Sequence, residues 1–181
     1  MTYYGARELT DSFRTVRRNT ITIAEEIPED KYDFSPTPGC RTVAQVLSHV
    51  ATTTRRYYQL HAVDRITTFE GIDFFALTQH WAGEEAKLTR RPQILEVLKA
   101  EGERWAGFLE SLSEDELGRR IAFPQGFTPP SKSRFELLLA VKEHEMHHRG
   151  QLMVIQRLLG LVPHLTRERE ARFADAQSKR V

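Results

Sequence analysis

A single cysteine, Cys40, stands in a chain of 181 residues, so no intrachain disulfide can form and a disulfide framework is excluded. The stretch Met1 to Asp11 lacks the basic-then-apolar layout of a secretory signal. No apolar run approaches the ~20 residues that a membrane span needs. A reduced, cytoplasmic protein with no membrane partner is therefore expected. Charge of one sign is also missing. The net charge of +1 offers no broad field to draw in phosphates, so no nucleic-acid partner is expected. The pairs Arg17-Arg18, Arg55-Arg56 and Arg90-Arg91 are scattered among acids and read as solvated faces. Internal repeats and convincing strand alternation are absent too. Cys40 follows the loop Pro36-Thr37-Pro38-Gly39 and reads as a bystander thiol, since nothing near it lowers a thiol pKa.

What is present is helical periodicity, in four long stretches. Leu9, Phe13, Val16, Thr20, Ile23 and Ile27 alternate at spacings of four and three, one stripe of a bundle helix that Pro28 ends. A second helix begins at Thr42, whose hydroxyl and the Gln45 side chain form a capping box. Val43, Val46, Leu47, Val50, Thr54 and Tyr57 give its buried stripe, and it runs to about Ala62. Val63 to Thr89 is the least regular part, a long crossover with a short helix around Asp73 to Gln79. A third helix opens near Pro92, with Leu95, Leu98, Gly102, Trp105, Leu109 and Leu112 as its stripe. Gly102 lets a neighbouring helix approach. Ser113 with Glu116 caps a short extra turn, and Ile121 to Pro130 reads as a loop folding over something. The fourth helix starts at Ser133, capped with Glu136, and stops at Gly160. The expected architecture is all-α: a four-helix bundle with one long crossover over 1–165, then a polar tail, 166–181, that frays or makes a subunit contact.

Helix four carries the chemistry. Its inward stripe runs Leu137, Val141, His144, His148, Leu152, Ile155, Leu159. Two histidines thus occupy core positions, where an imidazole must be hydrogen-bonded or coordinated. Spacing of i and i+4 stacks both rings on one face, as a helix does when it offers two nitrogens to one metal. His147 lies about 100° around the helix from His148 and reads as a boundary or ligand-orienting group. His49, beside the buried stripe of helix two, is a third candidate. Three imidazoles would leave a coordination position open, the pattern of a reactive site, and would suit one divalent ion, Zn(II) or Ni(II). His61, His80 and His164 fit no such stripe and read as surface or loop residues.

The same run spells His144-Glu145-Met146-His147-His148, a literal His-Glu-x-x-His. In a zinc peptidase it would supply two ligands and a general base, with Glu168 or Glu170 as a later ligand. Against this stand the missing strands of a peptidase cleft and the polar surroundings of Glu168.

A wider pattern covers about Leu9 to Gly160. Ile27-Pro28-Glu29-Asp30, the loop ending Pro38-Gly39, the capped run Thr42 to Val50 with His49, and His144-x-x-x-His148-Arg149-Gly150-Gln151-Leu152 together resemble the DinB/YfiT-like superfamily. The resemblance implies a four-helix bundle, a metal site at His49, His144 and His148, and a homodimer. It also implies a metal-dependent enzyme acting on a small molecule, either a transferase using a low-molecular-weight thiol as cosubstrate or a hydrolase. Glu145 lies outside the shared signature. Arg149 or the Arg55-Arg56 pair would orient a substrate carboxylate, Ile121 to Pro130 and the crossover would shape the pocket, and Gly150 would permit close packing beyond the ligands. From a different class, a non-catalytic metal-binding module responding to stress would use the same residues.

Overall fold

The computed structural model describes residues 4–179. Four long helices make the bundle: α1 (Ala6–Glu26), α2 (Val43–Tyr58), α4 (Arg91–Glu110) and α6 (Arg134–Leu158), with α3 (Phe74–Ala86) in the crossover. A five-residue helix, α5 (Glu114–Gly118), precedes a two-stranded antiparallel ribbon, β1 (Arg120–Ala122) and β2 (Ser131–Ser133); α7 (His164–Ser178) follows α6. Among the described residues α1 packs on α4 and α6, and α2 packs on the same two. The first two helices therefore stand diagonally, which is what the long α1–α2 connection allows.

The stripes read from the sequence become the core. Leu9, Phe13, Val16, Thr20, Ile23 and Ile27 are all buried, as are Leu98, Trp105, Leu109 and Leu112 on and just after α4. Each of the aliphatic and phenylalanine side chains among them contributes roughly 1.5–3 kcal/mol on leaving water. All three capping boxes form: Thr42 with Gln45, Ser113 with Glu116, and Ser133 with Glu136. Gly160 ends α6 with φ 78°, a conformation that suits a residue without Cβ.

Gly102 has a specific task. A Cβ there would lie 3.0 Å from Arg17 Cγ, so its absence makes room for the Arg17 side chain between α1 and α4. Gly150 does not act in this way: among the described residues nothing lies within 4 Å of a Cβ built on it.

Three expectations are corrected. Strands of three residues are too short to show alternation, so the ribbon escaped the periodicity. The crossover helix is longer than expected, ending at Ala86 rather than near Gln79. The polar tail is helical as far as Ser178, tied down at its start where Arg167 pairs with Glu26 and Arg157 donates to Thr166 Oγ1 at 2.9 Å; residues 180–181 of it lie outside the described residues. No described helix is long and apolar enough to cross a membrane.

Candidate metal centre

The α2–α6 contact brings His49 against His144 and His148. His49 Nε2 lies 3.0 Å from His144 Nε2, and His148 Nε2 lies 3.1 Å from the same atom. One nitrogen from each ring falls within 4.8 Å of the others. Among the described residues no further His, Cys, Asp or Glu joins this group.

The outer nitrogens decide which way the lone pairs point. His49 Nδ1 is 2.7 Å from Glu85 Oε1, and a carboxylate can only accept, so the ring donates there. His148 Nδ1 donates to Gln151 Oε1 at 2.8 Å when the amide is so oriented. Both rings then present a bare Nε2 lone pair inward. Two lone pairs facing a third imidazole at about 3 Å repel unless a proton or a cation sits between them. Separations near 3 Å are also those of nitrogens sharing an ion at about 2.0–2.1 Å. His144 Nδ1 is buried without a partner among the described residues. The donor set fits a divalent ion, with a carboxylate–imidazole pair of the kind that orients metal ligands.

Burial and the neighbouring rings push the His144 pKa down to about 4. His148 is lowered as well, first by burial, although its bond to Gln151 works the other way. Both rings are thus neutral at pH 7, the state a metal requires. Burial tends to raise the Glu85 carboxyl, but His49 and Arg41 outweigh it and hold the group below its usual range.

Two of the orienting groups were not identified in the sequence. Gln151 lies within the Arg-Gly-Gln-Leu run, but only the fold reveals that its amide bridges His148 and His147, the latter through Nε2 at 3.1 Å. Glu85 sits on α3, whose single buried side chain, Trp81, gives no stripe to orient it.

The remaining sequence candidates separate. His147 is exposed and meets the trio through Gln151 and through its ring contact with His148. Arg149 is half-buried, its Nε without a partner among the described residues. Glu145 turns away: it is 2 % exposed and grips Arg17 through bonds of 2.8, 2.9 and 3.1 Å. Arg17 also donates to Leu98 O at 2.7 Å, so the pair links α6 to α1 and α4. A carboxylate committed in this way cannot serve as the base of a peptidase. Glu168 and Glu170 are exposed on α7, and His49 takes the third place in the cluster. Arg55 is held by Glu101 at 3.0 Å.

Two further expectations change. His61 and His164 are buried rather than at the surface, while His80 is exposed as expected. The groove of about 510 Å³ beside the cluster is lined by Pro36, Cys40, Arg41, Val46, His148 and Gln151, among others. The loop at 121–130 instead stacks Phe123 on Phe69 at 5.3 Å, against the start of the crossover.

The DinB superfamily is matched over residues 12–152. The chain belongs to this superfamily. Among its relatives, the uncharacterized protein YjoA of Bacillus subtilis strain 168 is 26 % identical over 156 residues, 86 % of this chain and 91 % of YjoA. YfiT of Bacillus subtilis superposes with a TM-score of 0.70 at 18 % identity, covering 89 % of this chain and 91 % of YfiT. That protein is described as a probable metal-dependent hydrolase with an unusual four-helix bundle topology. ClbS, a colibactin self-resistance protein solved with double-stranded DNA, gives a TM-score of 0.62 at 13 % identity, covering 87 % of this chain and 98 % of ClbS. At such identities these two structures speak for the DinB fold alone.

Proposed function

We propose that this DinB protein is a metal-dependent enzyme holding one divalent ion, zinc or nickel, with His49, His144 and His148. Its reaction is transfer to a low-molecular-weight thiol, or hydrolysis, of a small electrophilic substrate. The observation that carries this reading is the inward turn of three Nε2 atoms while Glu85 and Gln151 take the Nδ1 hydrogens of two rings. A bound ion in such a site supplies Lewis acidity at its open position, where a thiol or water loses its proton readily.

The chain's own residues do the rest. Glu85 fixes the His49 tautomer and makes its Nε2 a better donor. Gln151 does the same for His148. The groove edged by Val46 and Ile155 offers an apolar wall to a substrate beside the cluster, and Arg41 at its rim can hold a substrate carboxylate. The family resemblance further supports a homodimer, which light scattering of the full chain measures.

Elemental analysis of the purified protein, followed by thiol-transfer and hydrolysis assays with and without chelator, tests the proposal. About one ion per chain is expected, and His144→Ala should lose it together with the activity, by more than about 100-fold. Retention of both metal and activity in that variant overturns the assignment. Metal bound at full stoichiometry with no turnover of any thiol or hydrolytic substrate favours the non-catalytic binding module.

A further inference from the structure

At the other end of the same helix pair lies a second cavity, of about 520 Å³, lined by Arg65, Arg104, Arg119, Arg134 and His61. His61 follows His49 by twelve residues and Arg134 precedes His144 by ten, so the cavity sits about 15–18 Å along the helices from the histidine cluster. Glu116 also lines it. Its Oε2 takes the Ser113 amide at 3.0 Å and the Ser113 hydroxyl at 3.1 Å, so this one negative charge stands against four guanidinium groups.

Several features mark this cavity as built. His61 is 1 % exposed, and neither of its ring nitrogens has a hydrogen-bond partner among the described residues. Its ring is fixed by stacking on Tyr57, with centroids 6.0 Å apart and planes 11° from parallel. It sits within one turn of π-helix, Gln59–Val63, an irregularity that recurs at functional sites. Arg134 is 4 % exposed, its Nε is unpartnered among the described residues, and the one described bond of its side chain is a 3.4 Å contact from Nη2 to Ile66 O. No carboxylate lies within 4 Å of Arg65, Arg119 or Arg134 among the described residues, whereas Arg104 has Glu101 at 3.4 Å. Arg65 holds φ 50°, a left-handed conformation unusual for a residue with a side chain.

Buried cationic and imidazole groups without partners are costly unless a ligand completes them. We propose that this cavity is an anion site for a small phosphate-bearing molecule, separate from the histidine cluster. The guanidinium groups of Arg65, Arg119 and Arg134 hold the phosphoryl oxygens, since forked N–H donors match that geometry and charge. A phosphoryl oxygen at the cavity floor supplies the acceptor that neither His61 nitrogen finds in the protein. Crowding is consistent with a missing anion: burial, Arg119 and Arg65 all lower the Arg134 pKa, against Glu116, which raises it. The site does not depend on the metal reading, as no residue is shared between them.

Phenyl phosphate and inorganic phosphate, titrated into the full chain while His ring resonances are followed by NMR, test this. The expected result is saturable one-to-one binding that shifts the His61 ring signals and persists in His144→Ala, which separates this cavity from phosphate held at a metal. Arg65→Ser/Arg119→Ser, two exposed changes that should leave the fold intact, is expected to weaken binding at least tenfold. Phenylacetate should bind at least tenfold more weakly than phenyl phosphate. Absence of saturable binding at millimolar phosphate, loss of binding in His144→Ala, or binding of duplex DNA alone with unmoved His61 signals would each overturn the proposal.

Discussion

The two ends of the α2–α6 pair hold buried histidines under opposite conditions. At one end His49 and His148 each have an outer nitrogen anchored, to Glu85 and Gln151, so their inner nitrogens face one another with lone pairs. At the other end His61 has no anchor on either nitrogen among the described residues and lines a cavity together with four arginines. Burial lowers the pKa of both His144 and His61 to about 4. Desolvation alone therefore does not distinguish a metal ligand from a cavity floor. The partner of the outer nitrogen does, because it fixes the tautomer and with it the direction of the free lone pair.

Four measurements can break or sharpen this contrast. The largest effect belongs to the Arg17–Glu145 pair, which lies one residue along α6 from His144 but faces α1, with both charges partnered. Arg17→Met strands a buried carboxylate and should cost about 3–5 kcal/mol in urea unfolding while metal content stays unchanged. A loss of metal at full stability would instead tie Glu145 to the cluster.

The unanchored end should show itself in pH. The folded-state pKa of His61 is about 4, below its ordinary 6.5, so its contribution to stability is fully present above pH 6.5. As pH falls the unfolded chain takes up the proton first, and stability drops until about pH 4. The Ser113 amide and hydroxyl hold the Glu116 carboxyl, which also lines this cavity, below its usual range. Between pH 7 and 4.5 the metal-free protein should lose roughly 2–3 kcal/mol more than His61→Phe does. Equal slopes for the two proteins would show that His61 is not the titrating group.

Removing an anchor should make the metal end resemble the other. Glu85→Gln and Gln151→Ala are each expected to weaken metal affinity by about 10- to 100-fold, read by competition with a chelator, with little change in fold stability. The smallest effect is expected at the cap of α6. Ser133→Ala removes the acceptor of the Glu136 amide next to Arg134 and should cost about 1 kcal/mol without touching metal binding.

Much of this was legible in the chain because it is local. Thr42 with Gln45 and Ser133 with Glu136 act within four residues, and the stripe Leu137 to Leu159 repeats at the helical period. His49 was placed by the family pattern more than by its own position beside a stripe. The ribbon of three-residue strands was not legible, nor was the burial of His61 and His164, whose spacing matches no apolar stripe. Glu145 misleads in the other direction: inside His-Glu-x-x-His it reads as a general base, yet it points at Arg17.

What the sequence by itself determined is the set of helices, their caps, and the shared face of His144 and His148, since a period of 3.6 residues sets the direction of each side chain on its own helix. What each direction meets was decided only by the tertiary structure. His49 and His144 are 95 residues apart, His49 and Glu85 are 36 apart, and Arg17 and Glu145 are 128 apart. Helical periodicity carries no information across such separations. The diagonal placement of α1 and α2 does, because it leaves α2 and α6 side by side and gives Glu145 to α1.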